Sequence, residues 1–265
     1  MMIRTWEEFI ASPSQTPLAA TIGVFDGLHI GHKALIDEVL RQEPAMESCV
    51  ITFVENPKKV LGRASFKGNI FSLEQKKESL SACGIKLCVL IDFSQDFGKH
   101  SGGEFLRLLF AAGVRFLCVG PNFKCGHNMD TGAAELPALC DKLGILARIV
   151  DPVMYKGYPV SSSRVRKAVI EGELTEANEM LGRPYEVWLL PDGSEGRISP
   201  RGHPFFCDDP SVVLPPDGEY RAGIRGKDGL LLTEARICGG RLCVPVAVDS
   251  PVLRVAIFER VSKEA

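Results

Sequence analysis

The chain has 265 residues, with 31 lysines and arginines against 33 aspartates and glutamates, which gives a formal net charge of -2. This balance argues against broad electrostatic binding to nucleic acid, and the 45% hydrophobic content excludes a disordered chain. At about 100–200 residues per domain, the length predicts one large or two modest domains. No apolar run reaches the roughly 18 residues of a membrane helix, and the first residues lack a signal-peptide pattern, so the sequence predicts a cytoplasmic protein.

The cysteines indicate packing rather than redox or metal chemistry. Nine of them are too few for a disulfide scaffold in a chain of this length, and none has zinc-finger spacing. Cys49, Cys88 and Cys118 lie inside apolar runs, which predicts reduced side chains buried in the core.

From residue 18 to about 150, short apolar runs alternate with helix-length amphipathic stretches. This pattern predicts an α/β fold with a parallel sheet wrapped by helices. Ser72 and Gln75 suit a capping box at the start of one helix, and Gly84 suits its end. The predicted strands span residues 18–24, 48–54, 86–93, 115–120 and 145–151. The predicted helices span residues 31–42, 72–83, 102–113 and 132–143.

The pattern of apolar runs and turns in the sequence changes towards the C-terminus. Two short helices are predicted at residues 162–172 and 174–182, followed by a Gly-Arg-Pro turn. Beyond them, short apolar or alternating runs are separated by turns such as PDG, PPDG and GKDG, which predicts a small antiparallel β-barrel. We therefore expect an α/β domain over residues 1–185 and a β-barrel domain over residues 186–265.

The segment TIGVFDGLHIGHKALI (21–36) carries the clearest chemical signal. A predicted strand runs through a glycine-containing turn into a helix, and parallel α/β sheets bind ligands where their strands end. Glycines let the backbone approach a phosphate closely, and a helix N-terminus attracts it. His29 and His32 can both point at one anion, although a histidine pair alone would equally suit unrelated surface residues. The candidate phosphate-contacting residues are Gly27, His29, Gly31 and His32.

A second segment, YPVSSSRVRKAVIEG (158–172), places three serines before a predicted helix and two arginines near its start. Basic residues at a helix N-terminus oppose the helix dipole by about 0.3–1 kcal/mol each. A bound polyphosphate would compensate by accepting hydrogen bonds from hydroxyls and a guanidinium. In isolation, an N-cap with two solvated arginines explains the pattern slightly better. The candidates here are Ser161, Ser162, Ser163, Arg164 and Arg166.

Together these segments resemble the bacterial FAD synthetases, which are bifunctional riboflavin kinase/FMN adenylyltransferases with a half that belongs to the HxGH nucleotidyltransferase superfamily. GVFDGLHIGHKALI is similar to the family's first motif, and VSSSRVRKAVIEGELTEANEMLGRPY to its serine-rich phosphate motif. VGPNFKCGHNMDTGAAEL (119–136) resembles its middle motif. The resemblance spans about residues 18–185 and implies a Rossmann-like nucleotidyltransferase domain followed by a riboflavin-kinase-like β-barrel.

The resemblance implies transfer of AMP from ATP to FMN, giving FAD and pyrophosphate, with Mg²⁺ as cofactor. His29, His32 and Arg166 would be the catalytic residues. Gly23, Phe25 and Asp26 would line the site beside the nucleotide, and the other candidates of the two segments would bind ATP and its phosphates. Asn122 would face the adenosine or the FMN. The expected partners are small-molecule nucleotides and flavin, rather than nucleic acid or a membrane.

Several turns depart from the family pattern. Residues 55–57 (Glu-Asn-Pro) stand where the family has a Phe-x-Pro-His-Pro turn, and Cys125 stands where an aromatic residue is common. Residues 195–224 contain no Pro-Thr-Ala-Asn, the family's Mg²⁺–ATP motif, which predicts a degenerate kinase domain. We interpret Asp208 and Asp209 as solvated turn residues.

Three alternatives stay open: a bifunctional enzyme that also phosphorylates riboflavin, an HxGH adenylyltransferase for nicotinamide mononucleotide or phosphopantetheine, and a flavin- or nucleotide-binding module without turnover. The middle motif and the C-terminal β domain argue against the second. The intact histidine and serine motifs argue against the third. The remaining histidines and two lysine pairs are predicted to be surface residues: His100, His127, His203, Lys58, Lys59, Lys76 and Lys77.

Overall fold

The computed structural model describes residues 1–64, 66–93, 99–191, 203–207, 210–226, 229–244 and 253–261. The elements before residue 160 are β1 (Met2–Thr5), α1 (Trp6–Ala11), β2 (Leu18–Ile22), α2 (Ile30–Leu40), β3 (Glu47–Phe53), α3 (Pro57–Val60), α4 (Leu73–Ala82), β4 (Leu87–Ile91), α5 (Gly102–Ala111), β5 (Val114–Val119), β6 (Lys124–Cys125), β7 (Thr131–Gly132), α6 (Leu136–Asp141), β8 (Leu146–Ile149), β9 (Met154–Tyr155) and β10 (Tyr158–Pro159). The later elements are α7 (Ser162–Glu171), α8 (Leu174–Leu181), β11 (Tyr185–Pro191), β12 (His203–Cys207), β13 (Gly218–Gly226), β14 (Gly229–Cys238), β15 (Arg241–Val244) and β16 (Leu253–Arg260). Within the described ranges, no helix is both long and apolar enough to cross a bilayer.

Six strands form one parallel sheet in the order β1-β4-β3-β2-β5-β8, which confirms the α/β prediction. The sequence analysis predicts five of them, while β1 is a short strand that pairs with β4 at the sheet edge. The chain proceeds from β2 to β3 and β4 on one side, then returns to β5 and β8 on the other. The strand order therefore reverses between β2 and β5, and the crevice at their carboxyl ends is where such sheets bind ligands.

The centre of the sheet carries the core of this part of the chain. All five residues of β2 and the central five of β3 are buried. Cys49, Cys88 and Cys118 are each 0% exposed and free of disulfides, which confirms their predicted place in the core. Burial raises the pKa of Cys88 to about 11, so this thiol stays protonated at neutral pH.

The helix α4 begins and ends at the predicted residues. The Ser72 N–H donates to Gln75 Oε1 at 3.0 Å, and the Gln75 N–H donates to Ser72 Oγ at 3.3 Å. This reciprocal pair is a capping box. Gly84, with φ of 90°, follows the helix in the left-handed conformation that favours glycine.

The prediction that Lys76 is a solvated surface residue is wrong. Its side chain is only 6% exposed, whereas the exposed Lys58 and Lys59 are as predicted. Lys76 follows Leu73 by three residues and precedes the buried Leu80 by four, a spacing that places all three on one helix face. The helix therefore turns Lys76 inward with its apolar neighbours.

The C-terminal strands form a closed antiparallel barrel in the order β11-β12-β15-β14-β13-β16, which confirms the predicted barrel. Tyr185 and Tyr220 are fully buried in this part of the chain. Their hydroxyls donate to the Val213 and Pro216 carbonyls, each at 2.6 Å. Asp208 and Asp209, residues 192–202 and the side chain of His203 lie outside the described residues, so the interpretations placed on them stay predictions.

Contacts between backbone positions divide the chain into two compact units. One unit comprises residues 1–66 and 76–159, and the other comprises residues 67–75 and 160–265. The barrel unit therefore includes α7 and α8, so this division differs from the boundary expected after residue 185.

Side-chain hydrogen bonds inside the second unit explain that division. Asn178 of α8 donates to the Phe258 carbonyl at 3.0 Å and accepts from the Tyr185 N–H at 2.7 Å. These bonds attach α8 to β16 and β11. Asn69 donates to Ser211 Oγ at 2.9 Å, which attaches the segment 67–75 to residues far along the chain.

Candidate active site

The turn between β2 and α2 is buried and tightly wound. Phe25, Gly27 and Leu28 have φ of 49°, 85° and 37°, all in the left-handed region. Phe25 is 0% exposed and Asp26 is 2% exposed, and a Cβ on Gly23 would lie 3.3 Å from the Phe25 ring. Non-glycine residues in this region cost of order 1–3 kcal/mol and persist where surrounding contacts enforce them. The turn is therefore a firmly held loop at the carboxyl end of β2.

His29 caps the N-terminus of α2. Its Nδ1 accepts a hydrogen bond from the His32 N–H at 3.2 Å, and the side chain is 5% exposed. A nitrogen that accepts this bond carries no hydrogen, so a neutral His29 ring carries its hydrogen on Nε2. The capping bond thus fixes the tautomer and makes Nε2 a hydrogen-bond donor beside the helix N-terminus, where anions bind.

The two imidazoles lie against each other. Their ring centroids are 3.6 Å apart with 14° between the planes, and the His32 ring lies 5.0 Å from that of Phe25. Burial, followed by the charges of His29 and Lys76, holds the pKa of His32 well below its usual 6.5. The buried Nδ1 of His32 has no hydrogen-bond partner among the described residues. Such an atom costs about 1–3 kcal/mol, and a ligand or bound water is one explanation for it.

The lowered pKa of His32 predicts a pH-dependent stability. An unfolded chain protonates this histidine near its usual pKa, but the folded chain protonates it only at lower pH. The stability that the folded chain has with His32 neutral is therefore fully present above pH 6.5. It is lost as the pH falls from 6.5 towards the pKa of His32 in the folded chain. We expect the unfolding free energy to fall by up to about 1.4 kcal/mol per pH unit in that window. Urea unfolding at several pH values measures this slope.

Two variants make that measurement specific. His32→Gln, which cannot protonate, should show a shallower slope than the wild type. His127→Gln changes an exposed histidine and should keep the wild-type slope. Equal slopes for His32→Gln and the wild type would contradict the assignment.

Asn122 lies at the carboxyl end of the neighbouring strand. It follows β5, which pairs with β2, so Asn122 and the histidine turn stand at the same edge of the sheet. The residue is exposed, and the Phe123 N–H donates to the Gly120 carbonyl at 3.1 Å to close its turn. Cys125, three residues after Asn122, is half-buried, and burial raises the pKa of its thiol to about 12.

The turn at residues 55–57, which departs from the family pattern, has a structural role. Asn56 is 7% exposed, and its Oδ1 accepts from the Lys58 N–H at 3.0 Å, which caps α3. Glu55 forms an ion pair with Lys59 at 2.7 Å. This turn follows β3 and therefore lies at the same carboxyl edge of the sheet.

The serine-rich segment forms the start of α7 in the second unit. Ser161 is the N-cap, and its Oγ accepts from the Arg164 N–H at 3.3 Å, which leaves the hydroxyl hydrogen as a donor. Arg166 is 7% exposed, Arg164 and Ser162 are half-buried, and Ser163 is exposed. The alternative of two solvated arginines therefore does not hold for Arg166.

Lys76 is the residue at this sheet edge that the sequence analysis missed. Its Nζ donates to the Phe53 carbonyl at the end of β3, at 3.0 Å. The charge of Asp26 raises the pKa of Lys76, and the charge of Lys76 lowers the pKa of His32. The signal that could have found it is the i, i+4 spacing from Lys76 to Leu80, which places a lysine on an apolar helix face.

Comparison with known families decides which proteins this chain is related to. A family model described as FAD synthetase matches residues 11–164. The chain belongs to the FAD synthetase family. The match contains the histidine turn, the middle motif with Asn122 and the start of α7, whereas most of the serine-rich motif, Arg166 included, lies beyond its end.

Curated relatives in the FAD synthetase family carry the name bifunctional riboflavin kinase/FMN adenylyltransferase. The protein of Listeria monocytogenes is 29% identical over 168 residues, which cover 62% of this chain and 53% of the relative. That of Bacillus subtilis is 26% identical over 233 residues, which cover 84% and 73%. The chain spans about half the length of several relatives, including those from Listeria monocytogenes and Haemophilus influenzae.

A solved structure shares the fold of the whole chain. The crystal structure of a protein described as a macrolide-efflux protein from Streptococcus pneumoniae aligns with a TM-score of 0.83. The alignment covers 100% of this chain and 92% of the other, at 20% sequence identity. At that identity the similarity is one of fold alone.

Proposed function

We propose that this chain transfers AMP from ATP to FMN and releases FAD and pyrophosphate. The observation that carries the proposal is the stacked pair His29 and His32 at the N-terminus of α2, in a chain of the FAD synthetase family. A helix N-terminus with a donor at Nε2 of His29 suits a phosphate. In this proposal residues 1–185 form the transferase domain, and residues 186–265 form a riboflavin-kinase-like domain.

The reaction needs no side-chain nucleophile. An oxygen of the FMN phosphate attacks the α-phosphorus of ATP, and the bond from that phosphorus to the bridging oxygen of pyrophosphate breaks. Pyrophosphate leaves with the electron pair. The protein contributes positioning and stabilisation of the charge that develops on the phosphoryl oxygens. The Nε2–H of His29 and the ring of His32 are proposed to make these contacts.

The remaining candidates have binding roles in this proposal. Ser161, Ser162 and Arg166 hold the β- and γ-phosphates, and Asn122 faces the adenosine or the FMN. The hydroxyl of Ser161 and the guanidinium of Arg166 both donate to phosphate oxygens. The other proposed nucleotide-binding residues are Gly23, Phe25, Asp26, Gly27, Gly31, Ser163 and Arg164.

Mg²⁺ is proposed to enter as the Mg²⁺–ATP complex. Proteins of this kind hold Mg²⁺ through substrate phosphates and one or two carboxylates, rather than through a cage of protein ligands. Across the described ranges, no group of three or more His, Cys, Asp or Glu side chains is arranged to hold a metal ion. Small-molecule nucleotides and flavin are the proposed partners, and a cytoplasmic location remains part of the proposal.

The experiment separates the two reactions of the family by their starting flavin. Purified protein is incubated with Mg²⁺–ATP and either FMN or riboflavin, and the flavins are separated by chromatography. We expect FAD from FMN and neither FMN nor FAD from riboflavin, because residues 195–224 lack Pro-Thr-Ala-Asn. FMN or FAD formed from riboflavin would support the bifunctional alternative. A folded protein that makes no FAD from FMN would contradict the proposal.

A further inference from the structure

Lys76 is a buried cation in a place where burial is costly. An unpaired ammonium is rarely removed from water, since its desolvation costs several kcal/mol. Lys76 is nonetheless 6% exposed, and its Nζ donates to the Phe53 carbonyl at 3.0 Å. Phe53 is the last residue of β3, so this bond fixes the lysine head at the carboxyl edge of the parallel sheet.

The groups around the lysine head come from several elements. Burial lowers the pKa of Lys76, and the negative charge of Asp26 is the largest influence that opposes this effect, followed by Cys88 and Glu55. Asp26 belongs to the histidine turn and is itself 2% exposed. Glu55 belongs to the turn after β3. Lys76 is therefore bonded to the end of β3, and its charge interacts with acidic groups of the turns that follow β2 and β3.

We propose that Lys76 is a positioning residue of the transfer site, which holds the Asp26 turn against the end of β3 and thereby fixes the His29–His32 stack that receives the phosphates. This inference rests on the proposed function. The turn contains two non-glycine residues in the left-handed region, Phe25 and Leu28, so it needs such external contacts to keep its shape. Lys76 is enclosed and bonded to a carbonyl, which suits positioning rather than direct contact with phosphate.

The lysine also has an electrostatic effect on the stack. Its charge is one of three causes that lower the pKa of His32, after burial and the charge of His29. Loss of the positive charge should therefore raise the pKa of His32. The titration of His32 therefore reports whether the charge of Lys76 reaches the stack, and kcat reports whether that charge matters for the transfer.

The test uses Lys76→Met, which keeps the length of the side chain but removes its charge. We expect kcat for FAD formation to fall by about 10²-fold with little change in KM, because misplaced reacting groups lower kcat more than ground-state binding. Lys76→Arg, which keeps the charge, should recover part of kcat. Lys77→Met on the same helix is the matched control and should retain the wild-type kcat. Circular dichroism establishes that each variant is folded.

The second measurement is the pKa of His32 by NMR titration of its ring protons, assigned with His32→Gln. It should rise in Lys76→Met and stay at the wild-type value in Lys76→Arg. Unchanged kcat in folded Lys76→Met overturns the proposal, and so does an unchanged His32 pKa.

If Lys76→Met does not fold, the same titration is made on Lys76→Gln, whose amide keeps a hydrogen-bond donor on the side chain that faces the Phe53 carbonyl. If the wild type makes no FAD, the proposed function fails, while the titration still decides whether Lys76 acts on the histidine stack.

Discussion

His32→Ala should lower kcat for FAD formation by about 10²–10³-fold, the usual cost of losing one group that stabilises transition-state charge. The His32 ring lies against His29 at 3.6 Å and beside Phe25, and its buried Nδ1 has no partner in the described part of the chain. Steady-state rates of FAD formation from FMN measure the effect. His100→Ala, a histidine outside the turn, should keep wild-type turnover. Wild-type turnover by a folded His32→Ala protein would contradict the assignment.

A second variant separates catalysis from helix capping. His29→Ala would remove both the ring and the cap, and loss of an N-cap alone costs about 1 kcal/mol. Asparagine is among the best N-cap residues, so His29→Asn keeps an acceptor for the His32 N–H while it removes the Nε2 donor. We expect His29→Asn to unfold at nearly the wild-type urea concentration but to lose activity as His32→Ala does.

Gly126→Ala should destabilise the folded chain by about 2–6 kcal/mol. Gly126 has φ of 82° and ψ of 171°, a backbone conformation essentially restricted to glycine, in which an L-residue costs of order 1–3 kcal/mol. A Cβ there would also collide with the backbone nitrogen of Gly102 and the carboxylate of Asp130, and such overpacking costs about 1–3 kcal/mol more. The collision would disturb an existing hydrogen bond, because the Gly102 N–H donates to Asp130 Oδ1 at 3.0 Å. Urea unfolding measures the loss.

Gly157→Ala is the matched control for this prediction. Gly157 has φ of 78°, close to that of Gly126, but a Cβ at Gly157 would meet no atom within 4 Å. It should therefore lose only the conformational part, about 1–2 kcal/mol. Equal losses for the two variants would show that the contacts around Gly126 do not matter. Both glycines have a positive φ, so the comparison separates the collision at Gly126 from the cost that a positive φ alone imposes on alanine.

The sequence predicts the elements best where a local pattern determines them. The strands of the sheet centre follow from continuous apolar runs, and α4 follows from the Ser72 and Gln75 capping box, which the structure confirms. The strand β1 escapes prediction because it has four residues, three of them exposed, at the edge of the sheet. Its residues carry no apolar run or alternation that would distinguish them from a loop.

Features that depend on distant contacts do not follow from a local pattern. The segment 67–75 groups with the barrel unit through the bond between Asn69 and Ser211, which are 142 residues apart in the sequence. Lys76 was assigned to the surface from its charge alone, whereas its burial depends on the carbonyl of Phe53 and the carboxylate of Asp26. The histidine turn was predictable because glycines, histidines and a helix start stand together within a few residues.

The most direct test of the central claim follows the phosphorus atoms of ATP. The protein is incubated with FMN and ATP that carries radioactive phosphorus at either the α or the γ position, and the flavin product is isolated. AMP transfer predicts that the α label appears in FAD and that the γ label appears only in pyrophosphate. A γ label in the flavin product, or no label in the flavin from either ATP, would contradict adenylyl transfer by this chain.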